Sequence, residues 1–169
     1  MKVSDLRAWK RNPRRNAHVV DRLAAEIRAL GFGAPIVAQH GTRRIIAGHT
    51  RQLAVLSILR GDPAWTIDGA PGPGFVPVRT MSVDDVTADK LALADNNAKL
   101  QGEWDDAALL AILGDFRQQC DDALASAGWN DAEIDGLLAE ASFTHGDESD
   151  QGALDSKKLT TCPSCGHEF

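Results

Sequence analysis

Gly48, His49, Thr50 and Arg51 follow the apolar run Ile45-Ile46-Ala47 and precede a stretch with helical periodicity. A strand that stops at a glycine and restarts as a helix leaves the first helical amides without intrahelical acceptors. Those N–H groups, the positive end of the helix dipole and a guanidinium in the first turn converge on one point suited to phosphate. The plainer alternative is an ordinary strand-to-helix turn whose arginine is only a solvated cation, so the reading depends on what stands beside these four residues. His49 could donate a hydrogen bond to phosphate or act as an acid or base near neutral pH, which makes it the candidate catalytic residue. Its alternative is a helix-start side chain with no chemistry.

A second group lies upstream. In Asn12-Pro13-Arg14-Arg15 the proline sets its own backbone and restrains Asn12, a fixed loop that can hold two arginines in place. Charge points the same way. The chain carries 18 Lys and Arg against 24 Asp and Glu, a net charge of -6, yet residues 1–60 hold 12 of the cations and only three acids. That third is at +9 and the remainder at -15. A basic first third suits a polyanion, and an acidic remainder argues against a second nucleic-acid surface there.

The third group is C-terminal, Cys162-Pro163-Ser164-Cys165-Gly166-His167. CxxC spacing lets two thiolates reach one tetrahedral zinc, and the glycine relieves the tight turn of such a knuckle. A zinc ribbon needs two knuckles. Here Cys162, Cys165 and His167 are the candidate zinc ligands, and a closed site needs Cys120, His145, a second subunit or a partner; the alternative is a reduced, metal-free tail. Three cysteines in 169 residues make no disulfide framework. With no apolar signal core at the N-terminus and no run long enough to span a bilayer, this leads us to expect a cytoplasmic protein without a membrane partner.

The elements that must position these groups follow from periodicity and breakers. Val3 to Trp9 reads as a short strand, and Asn16 as the cap of a helix through Leu30, with Val20, Leu23, Ile27 and Leu30 on one face and Gly31 closing it. Pro35 to Ala38 and Arg43 to Ala47 read as antiparallel strands around His40-Gly41-Thr42. Thr50 to Arg60 is a helix with Leu53, Leu56 and Leu59 inward and Val55 and Ile58 beside them. Asp62 to Gly74 is a loop pinned by Trp65 and Ile67, and Phe75 to Met81 an edge strand because of Pro77. A helix begins near Ser82 and Asp85 and runs to Leu100; its Asp95-Asn96-Asn97 cluster can cap or reach into a site, capping being favoured. Leu109, Ile112, Leu113 and Phe116 mark another helix, and Asn130 with Glu133 a capping box before a last helix that buries Ile134, Leu137 and Leu138. With Arg117 as its one cation, the segment from Asp105 to Glu140 would repel DNA, and we read it as a packing or partner-binding module. The chain is thus a mixed α+β protein: a small sheet with packed helices over residues 1–100, a helical extension over 101–140, a flexible linker at 141–161 and a possible zinc knuckle at 162–169.

The order Asn12-Pro13-Arg14, a helix ending at Gly31, Pro35-Ile36-Val37, a strand ending Ile46-Ala47-Gly48 and the Arg51 helix resembles the ParB N-terminal domain of the ParB/sulfiredoxin superfamily, which includes ParB-like nucleases. Ala94-Asp95-Asn96-Asn97, Trp104-Asp105, Gly128-Trp129 and the terminal CPSCGHEF look more like the phage or mobile-element branch often found beside DNA methyltransferases. The resemblance spans residues 1–140 and the tail. It implies a CTP triphosphate on Gly48, His49, Thr50 and Arg51, with Asn12, Pro13, Arg14 and Arg15 beside the pocket. Partitioning ParB proteins carry Glu and Arg after the glycine where this chain has His49 and Thr50, so a carboxylate on the magnesium side is missing, which counts against nucleotide hydrolysis. Sulfiredoxin chemistry needs a cysteine in the glycine motif, and none is there; Cys120 fits a small buried apolar role. The basic central helix-turn-helix and the dimerising tail of partitioning proteins are not evident either.

Two main functions are in view. One is a DNA-associated module whose Arg14, Arg15, Arg44 and Arg51 contact phosphate of a nucleotide or of the DNA backbone. The other is a ParB-like nuclease or nucleotide hydrolase using His49 and the Asn12 region, with Mg as cofactor. Few carboxylates in the basic half favour binding. A weaker third is a zinc-tailed adaptor acting through the acidic half. The resemblance adds a DNA methyltransferase or other phage protein as an expected partner, and dimerisation is a further expectation.

Overall fold

The sheet is built where β-branched residues flank a tight turn. In the computed structural model, which describes residues 1–100, 102–119 and 128–142, strand β1 (Ile36–Gln39) pairs antiparallel with β2 (Ile45–Ala47). Gly41 at φ 80° and Arg43 at φ 57° carry the reversal, closed by Arg43 N–H donating to the Gln39 carbonyl at 3.0 Å. Strand β3 (Val78–Met81) runs parallel to β1, giving the order β2-β1-β3. Pro77 has no N–H to donate, which suits an edge, and its carbonyl still accepts from Ile36 N–H at 3.0 Å.

Strand alternation divides the side chains between two layers. Ile36, Ala38 and Ile45 face helices α1 (Val20–Leu30) and α2 (His49–Gly61), forming a core with Ala24, Ile27, Val55 and Ile58. On the other side Val37 and Ile46 meet Trp9, Ala88 and Ala92, the latter two from helix α3 (Asp85–Asp95). Trp65 and Ile67 pack from the Pro- and Gly-rich loop onto the first core, as expected. The protein is a mixed α+β fold with a three-stranded sheet and, among the described residues, five α-helices.

Several expectations need correction. Val3 to Trp9 is no strand: Val3–Asp5 is a 3-10 turn, and only single bridges, Lys2 with Phe75 and Arg7 with Arg44, touch other backbone. The cause is Gln52 of α2, 7% exposed, whose Nε2 donates to the carbonyls of Leu6 (2.9 Å) and Val3 (3.4 Å) and so turns this segment toward the helix. Asn16 makes no side-chain cap; a 3-10 turn, Ala17–Val19, comes before α1, where the β-branched pair Val19-Val20 lowers helix propensity. Leu30 at the helix end is exposed. In α2 the buried stripe is Ala54, Val55 and Ile58, and Leu53 is exposed, because the helix meets the sheet on one side and α1 on the other. Helix α3 is capped by Asp84, whose Oδ1 accepts from Thr87 N–H at 2.7 Å, and it stops at Asp95, followed by a 3-10 turn at Ala98–Leu100.

Helices α4 (Asp106–Gln119) and α5 (Asp131–Ser142) enclose a small core of Leu109, Leu113 and Ile134, with Phe116, Trp129 and Leu137 against it. Ile112 and Leu138, expected inward, are about half exposed because two helices alone cannot cover wider stripes. The capping box is as expected: Asn130 N–H donates to Glu133 Oε2 (3.0 Å), and Glu133 N–H to Asn130 Oδ1 (2.9 Å). The Glu133 carboxylate also takes two N–H groups of Arg22, at 2.8 and 2.6 Å, tying α5 to α1. Arg22 and the Asn130 amide hold the Glu133 carboxyl at about 2, below its ordinary 4.5. A lowered acid stabilises the fold above the unfolded value and loses that contribution as pH falls through the folded one. Stability is expected to fall between pH 4.5 and 2 in the wild type and to change less there in Glu133→Gln, read as Tm against pH.

Helix α5 runs to Ser142, past the expected start of the linker at 141. Cys120, His145, Cys162, Cys165 and His167 lie outside the described residues. Among the described residues no helix is long and apolar enough to cross a membrane.

Candidate functional site

Gly48 caps α2 in the left-handed region, φ 95° and ψ 25°. A Cβ there would stand 3.2 Å from Ile36 Cγ1, 3.3 Å from Ile36 Cα and 3.4 Å from Arg51 Nη1. The glycine therefore lets β2 and α2 close onto the buried sheet, and it lets the Arg51 guanidinium fold back over the turn. Intrahelical bonding starts with Gln52 N–H, which donates to the Gly48 carbonyl at 3.1 Å, so the amides of His49, Thr50 and Arg51 face outward. Arg51 is half-buried and has no carboxylate within 4 Å among the described residues.

These groups line a cleft of about 160 Å³ shared with Asn12, Arg14, Asn16, Asp95 and Asn96. The Asn12 loop is held locally: Asn12 N–H donates to the Trp9 carbonyl (3.0 Å), and Asn12 Oδ1 accepts from Arg14 N–H (3.1 Å) across Pro13. Arg14 then spans the cleft and donates from Nη1 to Asn96 Oδ1 at 2.6 Å. Asn96 Nδ2 donates to the Ala92 carbonyl at 2.8 Å. Asn96 thus caps α3 and fixes Arg14 with the same amide, and Asp95 beside it brings a carboxylate to the cleft.

The structure separates the remaining expected residues from this group. Arg15 is exposed and off the cleft wall. Arg44 is committed elsewhere: its Nη1 is 2.9 Å from Asp89 Oδ1, its Nη2 is 3.8 Å from Asp85 Oδ1, and its side chain is 20% exposed. The Asp89 Oδ1 contact is an ion pair whose angles fall short of a hydrogen bond, leaving that buried oxygen without a donor. Arg44 is a structural cation between β2 and α3 and no member of the cleft. Asn16, read as a helix cap, stands on the cleft wall instead.

His49 accepts a hydrogen bond at Nε2 from the Trp9 N–H, 3.1 Å away. Burial lowers its pKa from 6.5, so near neutral pH the ring is uncharged, with its proton on Nδ1. Nε2 is engaged with the backbone, and Nδ1–H is left as a donor. That geometry suits holding the helix start or donating to an anion better than general-base work. Because the folded pKa is lowered, His49 stabilises the fold above pH 6.5 and loses this as pH falls through the folded value. Tm is expected to drop as pH falls below 6.5, and His49→Gln, which keeps an acceptor for Trp9, is expected to flatten that drop.

The architecture is a ParB-like fold. It is similar to the crystal structure of the C-terminally truncated chromosome-partitioning protein ParB from Caulobacter crescentus complexed with CTP-gamma-S, at TM-score 0.61 and 16% identity over 92% of this chain and 85% of that one. A second structure of that ParB, complexed to the centromeric parS site, aligns at TM-score 0.40 and 16% identity over 94% and 78% of the two chains. No family model and no curated protein matches the sequence.

Proposed function

We propose that the cleft at the start of α2 binds the phosphate groups of a nucleotide. The carrying observation is convergence: outward amides of His49, Thr50 and Arg51, an Arg51 guanidinium without an acidic partner among the described residues, and Arg14 brought from another element all line one small space. Each would supply charge-assisted hydrogen bonds to phosphate oxygens. The CTP-gamma-S bound by the ParB of similar fold supports a nucleoside triphosphate as the ligand class, CTP first. Asp95 suits a magnesium ion shared with phosphates, since that ion commonly takes one or two carboxylates and otherwise phosphate and water oxygens. Such an ion would neutralise phosphate charge, while Arg14, Arg51 and the amides orient the chain of phosphates. His49 positions the helix start and offers Nδ1–H. With Nε2 occupied and one carboxylate on the cleft wall, the geometry supports binding ahead of phosphodiester cleavage.

The test is calorimetric titration of the whole chain with CTP, ATP and inorganic triphosphate, each with and without magnesium. Expected are salt-sensitive binding of all three, the strongest for the preferred nucleotide, and weakening in Asp95→Asn only when magnesium is present. Absence of binding to all three at millimolar concentration would overturn the reading.

A further inference from the structure

Of the described residues that line the cleft, His49 alone carries a side chain that ordinarily titrates near neutral pH, and its hydrogen bond leads out of the cleft. Nε2 takes the Trp9 N–H at 3.1 Å, and Trp9 begins a relay across the site. The Trp9 carbonyl accepts from Asn12 N–H (3.0 Å), Asn12 Oδ1 accepts from Arg14 N–H (3.1 Å), and Arg14 Nη1 donates to Asn96 Oδ1 (2.6 Å). Four hydrogen bonds thus join the start of α2 to the end of α3. The Trp9 side chain is a fixed point in this relay, packed with Ile46, Ala88 and Ala92. What His49 holds is the backbone beside it.

A neutral imidazole accepts one hydrogen bond, whereas an imidazolium has two N–H donors and accepts none. The Trp9 contact therefore lasts only while Nε2 is unprotonated. Arg14 comes to the cleft from the Asn12 loop, Arg51 from α2 and Asp95 from the end of α3, so the empty space carries one net positive charge. Strand β2 (Ile45–Ala47) brings no charge, and Lys10 and Arg11, which follow Trp9, are exposed on the surface. No carboxylate oxygen lies within 4 Å of the ring nitrogens among the described residues. Burial keeps the ring neutral in this state. A triphosphate reverses the sign of the space. Attraction between an imidazolium and a phosphate at hydrogen-bond distance exceeds the net worth of one neutral hydrogen bond, so the ligand favours the proton over the Trp9 contact.

We infer that His49 exchanges partners when the cleft fills: bound phosphates draw a proton from solvent onto Nε2, and the Trp9 N–H is released. One N–H bond forms on the ring, its proton supplied by water or buffer acid, and the new positive charge stands beside the phosphates. The inference rests on the cleft reading and adds a signal to it. Occupancy of the phosphate site loosens the backbone at residues 9–12 while the Trp9 indole stays in its core. Linkage makes the effect reciprocal, so affinity rises as pH falls.

Two measurements on the whole chain test this. The first is calorimetric titration to saturation with CTP and with inorganic triphosphate, at and below neutral pH, in buffers of different ionisation enthalpy, for wild type and His49→Gln. The ligand's own phosphates exchange protons too, alike in both proteins, so the difference belongs to His49. Expected is an excess uptake by the wild type that approaches about one proton per ligand, with affinity rising about tenfold more steeply per pH unit of acidification where it does so. The second is backbone amide hydrogen exchange of the wild type by NMR at one pH, which needs no variant and stands even where His49→Gln fails to fold. Ligands ordinarily slow exchange around their sites. Here the Trp9 amide is expected to exchange several-fold faster with ligand bound, while the Gln52 amide keeps its protection. Equal proton uptake in the two proteins, or a Trp9 amide that the ligand protects, would overturn the inference and leave the cleft reading in place. Absence of binding to both ligands removes the cleft reading and this inference with it.

Discussion

Arg51→Ala is expected to weaken nucleotide binding by about 30- to 150-fold, equivalent to roughly 2 to 3 kcal/mol, with little change in Tm of the free protein. The two halves of that expectation have one origin. Arg51 has no ion-pair partner among the described residues, so its removal strands no buried carboxylate, yet it is half-buried beside the first-turn amides, where water screens it poorly. Arg51→Lys is expected to recover only part of the loss, since an ammonium keeps the charge without the planar fork. Equilibrium titration of the three proteins decides the matter, and equal affinities would remove Arg51 from the site. Thermal shift gives a second readout: ligand at 100 times Kd stabilises a protein by about 2.7 kcal/mol, and the alanine variant should retain less than about 1 kcal/mol of that at the same ligand concentration.

Gly48→Ala is expected to lower stability by about 2 to 3 kcal/mol, equivalent to a fall in Tm of roughly 5 to 10 °C for a chain of this size. One part is the φ of 95°, which an L side chain adopts at a cost of about 1 to 2 kcal/mol. The other is contact with Ile36, fully buried at 0% exposure, whose backbone would have to shift by a few tenths of an ångström. Gly41→Ala offers a comparison for the positive-φ cost: its φ is 80°, and nothing lies within 4 Å of the added carbon. The close approach to Ile36 is expected to make the Tm loss larger at Gly48 than at Gly41. Gly48→Ala is also expected to lose nucleotide affinity, because a displaced α2 start re-aims its amides.

Local rules found what local physics controls. Residues 36–61 form two strands and a helix whose turn, glycine break and periodicity are all written in adjacent residues, and they stand close to where the sequence places them. The Asn130–Glu133 box was equally legible, because both partners lie within one helical turn. Long-range contacts were not. Gln52 bonding to Val3 and Leu6 turns an apparent strand into a 3-10 turn, and no pattern within residues 3–9 announces a glutamine 46 residues away from Leu6. In α2, several apolar stripes were compatible with the sequence, and only the position of α1 selects Ala54, Val55 and Ile58. Arg44 shows the same limit in the site: its residue type suits phosphate, but Asp85 and Asp89 reach it first. Asp95 and Asn96 carry a usable signal, three short polar residues at a helix end, which favours capping over site contact. For Asn96 both apply.

The hydrogen bond between Arg14 and Asn96 joins residues 82 apart in sequence. A ribosome releases the chain from its N-terminus, so Arg14, Gly48 and Arg51 all emerge before the amide that completes their enclosure has been translated. The hairpin and α2 can assemble from nearby contacts, but one wall is added only when α3 arrives. On the proposed reading, ligand competence is deferred until α3 has been made, and a nascent fragment ending before residue 96 would display the glycine turn without Asn96 to hold Arg14 across the cleft.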